Sequence, residues 1–274
     1  MKVTTLVENL PPLKNCSLDN EHGLSLYIEH DGLRILCDMG RTATFIHNAR
    51  HLGVDVTSVD FAFVSHGHDD HCGGLDAFLS LGGGCVFMHE RIVGERYFSS
   101  RNGRREISCD KEVLLSNASQ VIYLAGNCEL ARGVFAVSCQ GGGYPMPYGN
   151  KYLTKRIGEK EVLDDFVHEL SLAIVTGKGL VVVSPCSHKG ALNIIDECIR
   201  ITGCNQLCAF IGGLHFVDHD GCECETVLFA NNFKRLYPQA VLYTGHCTCD
   251  KAKRVLQARM KNVEFFYTGS SILL

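Results

Sequence analysis

The residues best suited to chemistry stand in one short run, Ser65-His66-Gly67-His68-Asp69-Asp70-His71. Three histidines and two aspartates inside six positions serve no packing purpose, whereas a metal site needs that mixture of imidazole and carboxylate. The run follows Phe61 to Ser65, an apolar stretch that reads as a short buried strand, and precedes Leu75 to Leu81, which reads as helix. While the chain stays extended, side chains two apart point the same way, so His66 and His68 can pinch one ion. Asp70 and His71 lie where a helix begins, face another direction and suit a second ion nearby. Zinc accepts such donors, and manganese or iron accept them too.

Ligands from elsewhere are offered in matching contexts. Ser184-Pro185-Cys186-Ser187-His188 follows the apolar stretch Leu180 to Val183. Gly212-Gly213-Leu214-His215 follows Leu207 to Ile211, and Thr244-Gly245-His246-Cys247 follows Ala240 to Tyr243. In open α/β sheets the crevice beyond the strand ends is where ligands bind, so four such turns carrying histidine imply a converging site. The elements needed to position them are legible in outline. Met1 to Thr4 reads as a strand, and Leu24 to His30 with Leu33 to Asp38 reads as a hairpin around Asp31-Gly32. Thr42 to Leu52, Ala191 to Ile201, Thr226 to Leu236 and Ala252 to Met260 have helical spacing. Leu172 to Thr176 and Val263 to Phe266 read as strands. The middle, from about 91 to 165, offers strands only at Val121 to Leu124 and Val134 to Ser138. It otherwise reads as a loop-rich insertion, glycine-rich at Gly141-Gly142-Gly143-Tyr144-Pro145, of the kind that often forms lids. Strand and helix alternate at both ends, the pattern of an α/β sandwich built as one domain over 1–274.

Composition narrows the class. Hydrophobic residues make up 46% and charged residues 20%, a globular balance. A formal charge of -4 gives no nucleic-acid surface, and the short basic runs at Arg101, Arg104, Arg105 and Lys151 to Arg156 read as solvated loops. No apolar run approaches the ~18 residues a membrane helix needs. The amino terminus lacks the apolar stretch of a secretion signal, so a cytoplasmic location is expected. In that compartment the fifteen cysteines are expected as thiols, many of them packed as small apolar residues, among them Cys37, Cys85 and Cys208. Cys222-Glu223-Cys224 and Cys247-Thr248-Cys249 are closely spaced pairs, open to an extra metal or to oxidation but without the spacing of a zinc knuckle.

His66-x-His68-x-Asp70-His71 resembles the signature of the metallo-β-lactamase superfamily, and Asp38-x-Gly40 resembles its earlier aspartate motif. Glu21-His22-Gly23-Leu24-Ser25, Leu36-Cys37-Asp38-Met39-Gly40, Cys186-Ser187-His188, Gly212-Gly213-Leu214-His215 and Gly245-His246-Cys247-Thr248 resemble one branch of it. That branch is the dihydropterin–ribofuranosylaminobenzene phosphate synthase-like group, and the likeness is weakest over Arg91 to Asp165. The resemblance implies an αββα sandwich of two mixed sheets flanked by helices, holding two divalent metal ions. It implies that Asp38 supports the histidine loop from beneath without binding metal. His66 and His68 would hold the first ion, and Asp70, His71 and His246 the second. His168 stands where the superfamily usually places a histidine, but the branch more often has an acidic pair there. His188 is therefore the preferred further ligand of the first ion. Cys186 occupies the turn of a commonly bridging aspartate, as a thiolate ligand or as a buried thiol. His215 is assigned to substrate binding or proton transfer.

The expected chemistry is hydrolysis of a small phosphorylated or ester-like metabolite by a metal-bridging hydroxide, with Asp70 fixing the hydroxide and His215 serving a leaving group or anionic oxygen. The alternative is transfer of a pterin to an aromatic acceptor with release of pyrophosphate, Tyr144, Tyr148 and Phe98 being candidates to stack the ring. A third reading is a non-hydrolytic redox or oxygen-sensing role for metals or thiols. The expected partner is an anionic small molecule, not nucleic acid or membrane, and self-association into a homo-oligomer is left open.

Overall fold

A computed structural model describes residues 1–14 and 17–274; of the fifteen cysteines, Cys16 lies outside the described residues. The chain divides into two compact units, one of 1–125, 152–164 and 266–274, the other of 126–151 and 165–265.

The first unit is built on a seven-stranded mixed sheet. Its hairpin, Ser25–His30 with Leu33–Cys37, turns on Asp31 (φ 47°) and Gly32 (φ 84°), the two left-handed residues a tight turn between twisted strands requires. Lys2–Val7 pairs antiparallel beside it, and Ser271–Leu273 closes that edge. On the other side Leu33–Cys37, Phe61–Phe63, Val86–His89 and Val121–Leu124 run parallel. Parallel strands need both faces covered. The helices Thr44–His51 and Leu75–Ser80 contribute Phe45, Ala49, Leu75 and Phe78 to the apolar core that includes Leu36, Ala62, Val64 and Met88. Burying such a side chain contributes about 1.5–3 kcal/mol.

The second unit repeats this logic. Gly179–Val183, Leu207–Gly212, Val241–Thr244 and Val263–Phe265 are parallel, and Ser171–Thr176, Val134–Val137 and Cys128–Ala131 extend the sheet antiparallel. Helix Ala191–Thr202 buries Leu192, Ile194, Ile195 and Cys198 and stops at Gly203, whose left-handed φ of 68° ends it. Helix Cys222–Leu236 begins four residues earlier than the apolar spacing from Thr226 indicates, and packs Phe229, Ala230 and Phe233 into the same core. Helix Asp250–Arg259 adds Ala252 and Leu256.

The stretch expected to be loop-rich is more regular than that. Arg96–Ser99, Arg105–Glu106, Leu153–Ile157 and Lys160–Leu163 form a four-stranded antiparallel sheet in the first unit. The reason is chemical: the buried Phe98 is covered by the guanidinium groups of Arg104, Arg156 and Arg96, 4.3, 4.9 and 5.7 Å from its ring centre. Arginine stems and cation–π contacts here take the place of an apolar face. Among the described residues no helix is long and apolar enough to cross a membrane.

Candidate metal centre

In the first unit the strand Phe61–Phe63 delivers the chain to Ser65, and the four-residue helix Asp69–Cys72 follows at once. Between them His66, His68, Asp70 and His71 are brought together. The His66 ring centre lies 4.5 Å from that of His68 and 4.2 Å from that of His71, and Asp70 Oδ2 is 3.8 Å from His71 Nε2. All four residues are buried. Gly67 makes this approach possible: a Cβ there would stand 2.6 Å from Cε2 of the buried Tyr97.

Asp38 lies beneath. Its backbone is left-handed, φ 58°, a conformation open to aspartate more than to most residues. Oδ1 accepts from Ser65 N at 2.7 Å, and Oδ2 accepts from Ser65 Oγ and from His71 Nδ1, each at 2.7 Å. Ser65 Oγ has one proton and gives it to the carboxylate. His66 Nδ1, 2.8 Å from that same oxygen, must therefore be the donor to it. The consequence is shared by both rings: His66 and His71 carry their proton on Nδ1 and keep a lone pair on Nε2. A carboxylate behind an imidazole is the usual way a metal ligand is fixed in its tautomer. His68 Nε2 lies 3.9 Å from Asp164 Oδ2, and His22 Nε2 lies 3.3 Å from Asp70 Oδ2.

In the second unit three turns at strand ends meet. Ligand atoms of Cys186, His188 and His215 all lie within 4.8 Å of one another, and so do those of Cys186, His246 and Cys247. Three residues of these turns are left-handed without being glycine: Ser187 (φ 60°), His215 (φ 51°) and His246 (φ 50°). Such backbone costs about 1–3 kcal/mol per residue and persists where surrounding contacts impose it. Here Ser187 Oγ donates to Gly213 O at 2.6 Å, and the Thr248 hydroxyl accepts from Leu214 N at 3.0 Å.

His188 is held as firmly as His66. Asn150 Nδ2 donates to His188 O at 2.7 Å, which turns Asn150 Oδ1 toward His188 Nδ1, 3.1 Å away. That ring nitrogen is the donor, so the lone pair lies on Nε2, as in His66 and His71. The ring stacks on Phe166 at 4.4 Å and 4°. Glu169 accepts from His188 N and Lys189 N at 2.7 and 2.9 Å. Burial pushes its carboxyl up, against those two amides, which pull it down. For Cys247 burial also pushes up, but the hydrogen bonds with Cys186 and His215 and the nearby His246 prevail and hold the thiol well below its ordinary range.

The residues expected to hold metal or to act in catalysis fall into two clusters, His66, His68, Asp70 and His71 in the first unit and Cys186, His188, His215 and His246 in the second, and the ring-stacking candidates Phe98, Tyr144 and Tyr148 belong to neither. Asn150 and Asp164 join these clusters with no motif to mark them, whereas Ser65 and Cys247 join from within the histidine motifs themselves. His168 is fully buried. The donor set of imidazole, carboxylate and thiolate fits a borderline divalent ion. His215 Nδ1 fits too, being buried without a hydrogen-bond partner. Orphaned buried nitrogens are rare and ask for a reason.

Fold and donors define a class, and the chain belongs to the metallo-β-lactamase superfamily of enzymes. The superfamily's family model matches residues 18–102. The chain is 30% identical to the 7,8-dihydropterin-6-methyl-4-(beta-D-ribofuranosyl)-aminobenzene-5'-phosphate synthase of Methanocaldococcus jannaschii, covering 99% of this chain and 96% of that one. It thus falls in the synthase-like branch. Among solved structures it is similar to a metal-dependent hydrolase of the beta-lactamase superfamily, with a TM-score of 0.82 at 23% identity over 100% of this chain and 99% of the other. A diphosphatase of the PhnP family superposes with a TM-score of 0.53 at 17% identity, covering 100% and 97%.

Proposed function

We propose that the chain is a metal-dependent hydrolase of a small phosphorylated or ester-like metabolite, with divalent ions held by His66, His68, Asp70 and His71 of the first unit and by Cys186, His188 and His246 of the second. The observation that carries this reading is the tautomer control behind His66, His71 and His188, because a lone pair fixed outward on a buried imidazole is what a metal requires. Divalent ions so held supply Lewis acidity and an acidified water. The side chains do the rest: Asp38 and Ser65 keep two rings in register, Asp70 orients the attacking water, and His215 binds or protonates the departing oxygen. Zinc is the ion proposed first, with manganese or iron served by the same donors.

A second reading is favoured by the relative from M. jannaschii: transfer of a dihydropterin to an aromatic acceptor with pyrophosphate as leaving group. The same His215 would then face the pyrophosphate, and no water would be consumed. Chromatography separates the two. Pyrophosphate release that requires the acceptor, with a pterin adduct formed, supports transfer; cleavage of an activated phosphodiester without acceptor supports hydrolysis. In either case His68→Ala should lose one ion and all turnover. A purified protein that holds no zinc, manganese or iron when resupplied with each, or a fully active His68→Ala variant, would overturn the proposal.

A further inference from the structure

The two close cysteine pairs of the sequence do not bond within themselves; the fold joins them across. Cys222 Sγ and Cys249 Sγ are 3.4 Å apart, both inside the second unit. Cys222 is fully buried at the first turn of helix Cys222–Leu236. Cys249 is partly exposed and caps helix Asp250–Arg259, its sulfur accepting from Ala252 N at 3.5 Å. A thiol at a helix N-terminus and open to solvent is the kind that reacts, and a buried thiol in contact with it is the kind that resolves the product. By contrast Cys72 and Cys109, which also interact, are both buried.

We propose that Cys222 and Cys249 are a peroxide-responsive disulfide site, with Cys249 attacked first and Cys222 resolving. The Cys249 sulfur takes one oxygen of hydrogen peroxide as the O–O bond breaks, giving a sulfenic acid and one water. The Cys222 sulfur then attacks the Cys249 sulfur, the S–O bond breaks, and the departing hydroxide takes the Cys222 proton as a second water. The two thiols lose two electrons, which reduce the peroxide, so the balance closes. Burial, followed by the hydrogen bond and charge of Cys249, pushes the Cys222 thiol up to about 12, in keeping with Cys249 as the sulfur that meets the peroxide first. The cross-link ties the start of one helix to a residue 27 positions away, and Cys249 N is bonded to Phe216 O, so the turns carrying His246 and His215 are both held by the clamp. This inference does not depend on the reaction proposed above.

The test is a titration of the reduced full-length chain with hydrogen peroxide, quenched by alkylation and read by intact mass and peptide mapping. The expected product has lost two hydrogens, links Cys222 to Cys249 and is restored by dithiothreitol. Cys224→Ser, an exposed neighbour, should cross-link as the parent does. Cys249→Ser should not cross-link, and Cys222→Ala should carry Cys249 onward to sulfinic acid. Full alkylation of Cys249 after peroxide treatment of the parent chain, or its cross-linking to Cys224 or Cys247 instead, overturns the proposal whether or not the variants fold.

Discussion

Replacing Asp38 by asparagine changes one atom and tests the tautomer argument directly. The residue sits at φ 58°, which asparagine tolerates as well as aspartate, so the backbone is not strained by the exchange. The amide can lie two ways. With its nitrogen in place of Oδ1 it faces Ser65 N–H, donor against donor, and leaves a buried amide unsatisfied at a cost of about 1–3 kcal/mol. With its nitrogen in place of Oδ2 it donates to Ser65 Oγ and His71 Nδ1 instead of accepting from them. Ser65 Oγ must then donate to His66 Nδ1, and every bond is still made. The second orientation therefore wins, and it moves the protons of both His66 and His71 to Nε2, where an ion would bind. Loss of such a supporting group costs about 10–100-fold in metal affinity, or about 1.4–2.7 kcal/mol at 1.36 kcal/mol per decade. Competitive chelator titration reads the affinity, long-range proton–nitrogen NMR reads the tautomers, and urea unfolding of the metal-free chain reports the fold. If affinity is unchanged while unfolding free energy falls by the donor–donor penalty, the first orientation has won and the reasoning fails. If neither quantity moves, Asp38 does not control the rings at all.

Two further outcomes follow from packing and charge. Gly67→Ala places a methyl 2.6 Å from Tyr97 Cε2 and 3.4 Å from Ile92 Cγ1, and Tyr97 is fully buried, so the His66–His68 loop has to give way. Overpacking of this kind costs about 1–3 kcal/mol, and both the unfolding midpoint and ion affinity should drop; a variant matching the parent in both contradicts the close approach. Glu106 is hydrogen-bonded by Arg96 through Nε at 2.8 Å and through a second guanidinium nitrogen, and that bond holds its carboxyl below the ordinary range. A carboxylate with a lowered folded pKa stabilises above its unfolded pKa and loses that contribution as pH falls through the folded value. The melting-temperature gap between parent and Glu106→Gln should therefore be small but present near neutrality and close below about pH 4, and a gap that widens in acid refutes the sign.

What the sequence discloses and what it withholds divide along physical lines. The proposed ligand run is legible because His66, His68, Asp70 and His71 are local: strand periodicity and the onset of a helix decide which way each points, and both act over a few residues. The later turns are legible because the β-branched strands before them are buried on both faces and read as continuous apolar runs, as at Leu180 to Val183. The small sheet over 96–163 is hidden for the opposite reason. Its strand Lys160–Leu163 is exposed throughout, and Phe98 is covered by three arginines, so no apolar periodicity marks it.

The chemistry of the proposed ligands is hidden more deeply than their positions. Whether His66 offers a lone pair or a proton depends on Ser65 and on Asp38, which bonds Ser65 across 27 residues, and for His188 it depends on Asn150, 38 residues away. No rule of spacing reports such pairs, because each is a contact between elements that the fold alone brings together. The left-handed turns at Ser187, His215 and His246 belong to the same group: without glycine they carry no sequence mark, and only their neighbours hold them. Residue type at the strand ends thus announces that a metal is expected, while proton placement, which determines whether it binds, is written in the tertiary contacts. That is why Asp38, itself no ligand in this reading, is the more decisive residue to change.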